Sequence, residues 1–216
     1  MRPADPRTDE PNTENNSIEN QATNNLSGSW QSAASVLVRG NNPGDFLQGY
    51  VTSDLARLGS TATVPMALCN LKGRVIVSGW VHHIEDDGLA LVVHKTLAVK
   101  LCETLTPYAR FSRCELSVAT DHPQVTTDHD TGFLDTLCFT TSADQACKDI
   151  STAMNTRLIA HGIAFISVEN SEKYLPQVLN LHNHGFVDFD KGCYLGQEIV
   201  ARAQFRGQVK KTIKTF

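Results

Sequence analysis

From residue 33 onward, apolar side chains follow the period of a strand or of a helix in successive stretches. Helices are predicted where apolar residues recur every three or four positions. One helix follows the start signal Asn41-Asn42-Pro43, and another spans Lys95–Ala109. Strands are predicted where apolar and β-branched residues run together or alternate with polar ones: Ala33–Arg39, Thr61–Asn70, Arg74–Ile84, Leu89–His94 and Phe111–Ala119.

This β-α-β-β-β-α-β order predicts an α+β fold, with a ferredoxin-like β-α-β-β-α-β unit and one added strand over residues 30–119. The pattern beyond it predicts a second, reduced α+β half over residues 120–172. Its elements are a polar loop, a strand, a helix and an apolar run: Thr120–Thr131, Phe133–Thr140, Ser142–Asn155 and Gly162–Val168. A closing segment, 173–216, is expected to return to the first half.

Residues 1–29 lack this patterning. They are rich in Asn, Thr, Glu and Pro and nearly free of large apolar side chains. Such a segment cannot bury enough surface to offset the entropy of ordering, so we predict a disordered tail and a fold that begins near Trp30.

The formal net charge is −4, which argues against a dedicated nucleic-acid binder with a basic footprint. The charge is unevenly distributed. Residues 1–29 hold two basic and five acidic residues, a net of −3, whereas residues 191–216 hold six basic and one acidic, a net of +5. We therefore expect any anionic partner to meet the C-terminal end of the chain.

No stretch approaches the roughly 20 apolar residues of a membrane helix, and the N-terminus lacks the apolar region of a secretory signal. The six cysteines form no CxxC pair, and five of them lie in apolar runs: Cys69, Cys102, Cys114, Cys138 and Cys147. This usage predicts buried thiols in a reducing compartment, so we expect a cytoplasmic protein. We also expect a monomer.

The segment Lys191–Glu198, with the sequence KGCYLGQE, concentrates the candidate chemistry. Its two glycines predict tight turns or close backbone approach. A short helix, Ile199–Phe205, is predicted to follow, so that Glu198 can pair with Arg202 on one helix face. The sixth cysteine, Cys193, lies two residues from Lys191 and ahead of a helix start, and both features lower the pKa of a thiol. The alternative interpretation is a glycine-rich turn with an inert cysteine and a solvated ion pair.

The segment resembles the KGC-Y/F-x-GQE signature of the YgfZ-type folate-binding family, relatives of the glycine-cleavage T-protein, and matches at every specified position. Flanking and distant segments resemble the family as well. These are Leu175–Leu181 (PQ-x-x-N-L), Val200–Arg202 (VAR), Arg206-Gly207 (R-G), Phe46–Asp54 (F-x-Q-G-Q-V-T-x-D, with Tyr50 in place of the second Gln) and Lys72–Arg74 (K-G-K/R).

The resemblance implies two ferredoxin-like halves around a central channel that binds folate, followed by a small β-barrel. It also implies a role in maturing or repairing iron–sulfur enzymes and, through them, in tRNA modification. Three departures follow from the sequence. The chain ends at Phe216, where the barrel is expected to begin. Its second half is shortened. It reads Val77-Ser78 where the T-protein relatives carry an aspartate pair, which weighs against aminomethyl transfer.

Tetrahydrofolate or a derivative is therefore the expected cofactor, and no metal is predicted. Glu198 or Asp54 is expected to accept the N–H donors of the pterin, and Tyr194 or Trp30 to contact the p-aminobenzoyl ring. The anionic glutamate tail is expected to meet cationic side chains: Lys191, Arg202 and Arg206. The other members of the matching motifs complete the predicted cofactor site: Gly192, Gly196, Gln197 and Gln48. Cys193 is the candidate reactive group.

The leading hypothesis is thus a folate-binding protein whose partners are iron–sulfur enzymes or their assembly factors, with tRNA affected only indirectly. Three alternatives remain at this point: a folate-dependent one-carbon (aminomethyl) transferase, an RNA-binding module that uses the basic C-terminal end, and a truncated, inactive relative. The loop residues Asp121, His122 and 128–130 have the spacing of neither a zinc nor a calcium site. The pair His182 and His184, near the signature, is expected on the surface.

Overall fold

The computed structural model describes residues 25–59, 62–127, 137–140, 148–207 and 212–213, and the statements below concern these residues. Its main sheet consists of β2 (Ala33–Gly40), β3 (Thr63–Cys69), β4 (Val75–His83), β5 (Leu89–His94) and β6 (Cys114–Val118). This sheet is predominantly buried and fully antiparallel, and its strand order is β3-β4-β5-β2-β6.

The main sheet confirms the predicted fold class. Strands β2, β4, β5 and β6 have the neighbours of a ferredoxin-like unit, and β3 is the added strand at the edge beside β4. The unit arises because β4 and β5 are nearly continuous apolar runs buried on both faces, whereas β6 exposes alternate residues at the other edge.

Two helices connect these strands. Helix α1 (Pro43–Gln48) begins where Pro43 and the Asn42 cap predict, because the Asn42 side chain accepts a hydrogen bond from the Asp45 amide. Helix α2 (Ala98–Ala109) buries one stripe of apolar side chains, including Leu101 and Leu105, and packs on β6 and β2.

A smaller sheet lies in the described part of the second half. Strands β1 (Ser27–Ser29), β7 (Gln124–Thr126) and β8 (Cys138–Thr140) form an antiparallel sheet in the order β1-β7-β8. Strand β1 lies within the stretch predicted as a disordered tail, so ordered structure begins before Trp30. Residues 1–24 of that stretch lie outside the described residues.

Helix α3 (Ser151–Ala160) corrects the predicted helix Ser142–Asn155. Residues 148–150 are not helical, because the Ser29 amide donates to the Lys148 carbonyl and the Ile150 amide donates to the Ser29 carbonyl. Pairing with β1 thus overrides the helical pattern before Ser151, and residues 142–147 lie outside the described residues. Helix α4 (Gln197–Phe205) follows the signature, two residues longer than predicted. No helix of the described residues is long and apolar enough to cross a membrane.

Candidate functional site

The closing segment returns to the first half and lies along the loop that follows α1. The Val75 amide donates to the Tyr174 carbonyl, the Asp188 amide to Thr52 and the Leu195 amide to Gly49, at 2.9, 2.9 and 3.1 Å. These backbone contacts place the KGCYLGQE signature beside residues 48–54. Those residues belong to Phe46–Asp54, another segment that resembles the family.

Lys191 joins these two segments. Its side chain is buried, with 9% of its surface exposed. Its ammonium donates three hydrogen bonds to the carbonyl oxygens of Gln48, Val51 and Ser53, at 2.7, 2.8 and 2.9 Å. An ammonium has three N–H donors, and all three are used within the chain. Lys191 is therefore placed as a positioning residue, and not as the cation for a folate tail that the sequence predicts.

The surroundings of Lys191 change its proton affinity. Burial lowers the pKa of the ammonium to about 8, against the attraction of the Asp54 and Asp188 carboxylates, which raises it. The Nζ atom lies 5.4 Å from the centroid of the Tyr194 ring, within the range of a cation–π contact. Burial raises the pKa of the Tyr194 phenol, which therefore stays neutral at physiological pH.

Two glycines pack the start of α4 against the turn between β3 and β4. Gly196 has φ +81°, and a Cβ atom there would lie 2.4 Å from the Asn70 carbonyl oxygen. Gly73 has φ +67°, and a Cβ atom there would lie 2.9 Å from the Ile199 side chain. Both positions therefore require glycine, for backbone conformation and for space. The KGR turn and the KGCYLGQE segment, far apart in sequence, are in direct contact.

Substituting Gly196 with alanine should destabilise the protein by about 2 kcal/mol or more, since it adds a left-handed backbone penalty and a clash with a main-chain oxygen. Gly192 is the matched control in the same motif, because a Cβ atom there meets nothing within 4 Å. Gly192→Ala should stay within about 0.5 kcal/mol of the parent in urea unfolding. Equal losses for the two variants would contradict the packing described here.

Cys193 is exposed at the tip of the turn between buried Lys191 and buried Tyr194. Burial raises the pKa of the Cys69 thiol to about 12, and it also raises the pKa of the Cys102 and Cys114 thiols. The prediction that the other cysteines are buried is confirmed for Cys69 and Cys114, but Cys102 is half-buried and Cys138 is exposed.

The exposure of Cys138 follows from strand alternation. Strand β8 buries Phe139 and turns its two neighbours outward. Cys147 lies outside the described residues.

Helix α4 presents Glu198, Arg202 and Arg206 on its exposed surface. The predicted ion pair between Glu198 and Arg202 does not form, and both side chains are left open to solvent. Gln197 turns inward, and its side-chain oxygen accepts a hydrogen bond from the Tyr194 amide at 3.3 Å. Gln197 therefore stabilises the turn.

Asp54 and Gln48 are bound to each other. The Gln48 amide donates to the Asp54 carboxylate at 2.9 Å, and the Ala56 backbone amide donates to the same oxygen at 3.0 Å. These two hydrogen bonds, the backbone one foremost, lower the pKa of Asp54. Asp54 thus caps the short 3-10 turn Leu55–Gly59.

Trp30 is fully buried in an aromatic cluster with Trp80, their ring centroids 5.8 Å apart. Trp80 in turn contacts Phe186 at 5.6 Å. The Phe186 carbonyl accepts hydrogen bonds from the Thr52 and Ser53 hydroxyls. Since the Ser53 carbonyl binds Lys191, a continuous set of contacts links the aromatic cluster to the signature.

Several structural residues of this region were not assigned by the sequence reasoning. Thr52 and Ser53 are fully buried hydroxyls, and the Gln177 amide donates to the Val200 carbonyl at 2.9 Å, which ties the approach segment to α4. All three lie inside segments that resemble the family, which was the available signal. His182 and His184, expected on the surface, are half-buried beside them.

No group of three potential metal ligands occurs among the described residues. Residues 128–130 of the loop considered above lie outside them.

Comparison with known proteins supports the family resemblance. An uncharacterized protein of Haemophilus influenzae is 27% identical over 200 residues, covering 84% of this chain and 69% of the relative. Proteins named tRNA-modifying protein YgfZ from Hamiltonella defensa and Serratia proteamaculans are 26% and 28% identical, over 82% and 83% of this chain and 66% and 67% of their own lengths. The chain thus spans about two thirds of the length of these relatives.

No family model matches the chain. Among solved structures, the aminomethyltransferase T of the glycine cleavage system from Bartonella henselae is 15% identical with a TM-score of 0.42, over 47% of this chain and 28% of that protein.

The molecule is an α+β protein in which the KGCYLGQE turn packs closely on the β3–β4 turn through Gly196 and Gly73. By sequence it is similar to proteins named tRNA-modifying protein YgfZ, in agreement with the resemblance of the KGCYLGQE segment.

Proposed function

We propose that this protein binds a reduced folate and supports iron–sulfur enzymes, and thereby tRNA modification, through a reactive Cys193. The observation that carries the proposal is the display of Cys193: the chain exposes this thiol on a turn whose flanking residues, Lys191 and Tyr194, are both anchored in the interior. Relatives at 26% and 28% identity carry the name tRNA-modifying protein.

The arrangement of the turn favours a reactive over a structural cysteine. A structural thiol is buried, as Cys69 is, whereas reaction with a partner requires access. Three hydrogen bonds from Lys191 fix the turn on one side of the thiol, and the packing of Gly196 against Asn70 fixes it on the other. Cys193 is therefore presented in one orientation at little cost in conformational entropy on binding.

For the folate, the site favours Glu198 over Asp54. The Asp54 carboxylate already accepts two hydrogen bonds, while the Glu198 carboxylate is exposed in the first turn of α4 and has no partner among the described residues. Arg202 and Arg206 on the same helix are exposed cations that suit an anionic glutamate tail. The indole N–H groups of Trp30 and Trp80 are buried without a partner among the described residues, which fits a ligand with acceptor atoms.

The aminomethyl transferase alternative finds no support in β4. The strand has no carboxylate, and Ser78, one of the two residues at the position of the relatives' aspartate pair, is fully buried. Its hydroxyl donates to the Ala164 carbonyl at 2.7 Å and accepts from the Ile166 amide at 3.0 Å. Neither Val77 nor Ser78, the two residues at that position, carries a carboxylate that could act as a general acid or base in that reaction.

Equilibrium titration with tetrahydrofolate tests the cofactor. Saturable binding is expected, and Glu198→Ala should weaken it about ten-fold or more, because a charge-assisted hydrogen bond is lost. Glu103→Ala removes a comparable exposed helical carboxylate from α2 and should leave the affinity unchanged. Absence of binding by the folded chain would contradict the folate proposal. Binding of tRNA that weakens steeply with salt would instead support the RNA-binding alternative.

A further inference from the structure

An aromatic cluster lies between β4 and the segments that cover it. One ring is stacked on Trp30: Phe165, at a centroid distance of 4.6 Å and an interplanar angle of 27°. Trp80 contacts both rings, at 5.8 and 5.9 Å. Phe139 and Phe186 contact Trp80 from other sides. The cluster therefore has one face-to-face stacked pair, and Phe165 supplies its outer member.

Three nitrogen atoms around this cluster are buried without a hydrogen-bond partner among the described residues: Trp30 Nε1, Trp80 Nε1 and His82 Nε2. All three side chains are at least nine-tenths buried. The Nδ1 atom of His82 lies 2.9 Å from the His83 carbonyl and donates to it, so Nε2 is a bare acceptor. Buried polar groups without partners are rare, since each costs free energy, and they call for a ligand or another explanation.

Phe165 belongs to residues 163–168, which we call the strap. The strap has no regular secondary structure. Over residues 164–168 the hydrogen bonds that attach its main chain to the sheet involve two side-chain hydroxyls. Ser78 binds the Ala164 carbonyl and the Ile166 amide, and Thr96 binds the Val168 amide. The strap is thus attached by fewer hydrogen bonds than a paired strand, and the buried side chains of Ile163 and Ile166 hold it as well.

Phe165 also differs from its neighbours in exposure. Trp30, Trp80 and Phe186 are fully buried, and Phe139 nearly so, whereas Phe165 is half-buried. Lifting the strap would open one face of Trp30 and would expose Ile163 and Ile166, which are buried in the core. The vacated place adjoins Trp80, whose ring lies 5.9 Å from that of Phe165, and His82 lies on the same face of β4 as Trp80.

We propose that Phe165 is an internal plug, and that a flat heteroaromatic ring with both donor and acceptor atoms binds against Trp30 in its place when the strap lifts. The ring would stack on the Trp30 indole and hydrogen-bond to the unpartnered nitrogens of Trp80 and His82. The inference rests on the proposed function in one respect: the pterin of a folate is such a ring. Ligand binding is then coupled to strap opening. The apparent affinity equals the affinity of the open state multiplied by the fraction of molecules in which the strap is open.

Free pterin is the probe, with binding followed through quenching of tryptophan fluorescence. Phe165→Ala should bind pterin at least ten-fold more tightly than the parent, because no plug must be displaced. Adding Trp80→Phe, which removes one indole N–H, should cancel part of that gain. Phe205→Ala is the matched control, since it removes an exposed phenylalanine with 72% of its surface accessible and should change nothing.

Ser78→Ala gives an independent readout, because it keeps Phe165 and removes both hydrogen bonds at the centre of the strap. It should raise pterin affinity several-fold and speed hydrogen exchange at the Ile166 amide. Unchanged pterin affinity in both Phe165→Ala and Ser78→Ala overturns the plug, including the case in which no variant binds. Tetrahydrofolate binding by the parent with no gain in these variants leaves the proposed function standing. A pterin gain without tetrahydrofolate binding by the parent leaves the plug standing and overturns the folate proposal.

Discussion

Replacing Lys191 with methionine should lower the free energy of unfolding by about 3–5 kcal/mol. The substitution keeps an unbranched apolar stem and removes the ammonium that binds the carbonyls of Gln48, Val51 and Ser53. Two of these hydrogen bonds are fully buried and one partly. A buried acceptor left without a donor costs about 1–3 kcal/mol, so three of them account for the expected loss.

Urea unfolding measures this loss as a lower midpoint at unchanged slope. Lys72→Met is the matched control, since Lys72 is exposed on the turn beside α4, and it should stay within about 0.5 kcal/mol of the parent. A loss below about 1 kcal/mol for Lys191→Met would mean that the ammonium does not hold residues 48–54 in solution.

The role of Lys191 shows where sequence reasoning about the site stops. A lysine in a motif that resembles a folate-binding signature is naturally assigned to an anionic group of the ligand. Its actual partners are main-chain oxygens 138 to 143 positions earlier, which leave no mark in the sequence because every residue carries a carbonyl. Only the three-dimensional path of the closing segment reveals them.

The main sheet was predictable for the opposite reason. Its order depends on apolar runs such as β4 and β5 and on the alternation in β6, and these periods are written in the side chains themselves. The start of α3 was not predictable, because pairing of residues 148–150 with β1 competes with a helical pattern. The same limit applies to Cys138, whose exposure depends on which face of β8 is covered.

The glycine contacts lie between these cases. Gly196 suggested a tight turn from the sequence alone, and it has positive φ. That Gly196 and Gly73 face the same packing boundary, one from the start of α4 and one from the β3–β4 turn, depends on tertiary structure.

Substituting Cys193 with serine should abolish complementation of a strain that lacks its own YgfZ protein while leaving the fold intact. Serine is nearly isosteric with cysteine, and the position is exposed, so the free energy of unfolding should change by less than about 0.5 kcal/mol. The hydroxyl is a far weaker nucleophile at neutral pH, and it cannot form a disulfide or bind a metal as a thiolate does.

Cys138→Ser is the matched control, because Cys138 is the other fully exposed cysteine of the described residues. That variant should complement fully. Peptide mapping after limiting alkylation supplies the chemical counterpart. Cys193 should be modified before Cys138, since it lies on an anchored turn close to Lys191, and well before Cys69, whose thiol is buried with a pKa of about 12.

The two measurements together decide between a chemical and a structural signature. If Cys193→Ser fails to complement and Cys193 is the first cysteine to be alkylated, the turn functions through the thiol of Cys193. Full complementation by Cys193→Ser would mean that Lys191, Gly196 and their neighbours maintain this turn as a docking shape, and the proposal of a reactive cysteine would then fail. Early labelling of Cys138 with loss of complementation at Cys193 would place the requirement in recognition of a partner rather than in nucleophilic strength. In each case the anchoring by Lys191 is the precondition, since a turn free to move would present neither a thiol nor a shape in a fixed orientation.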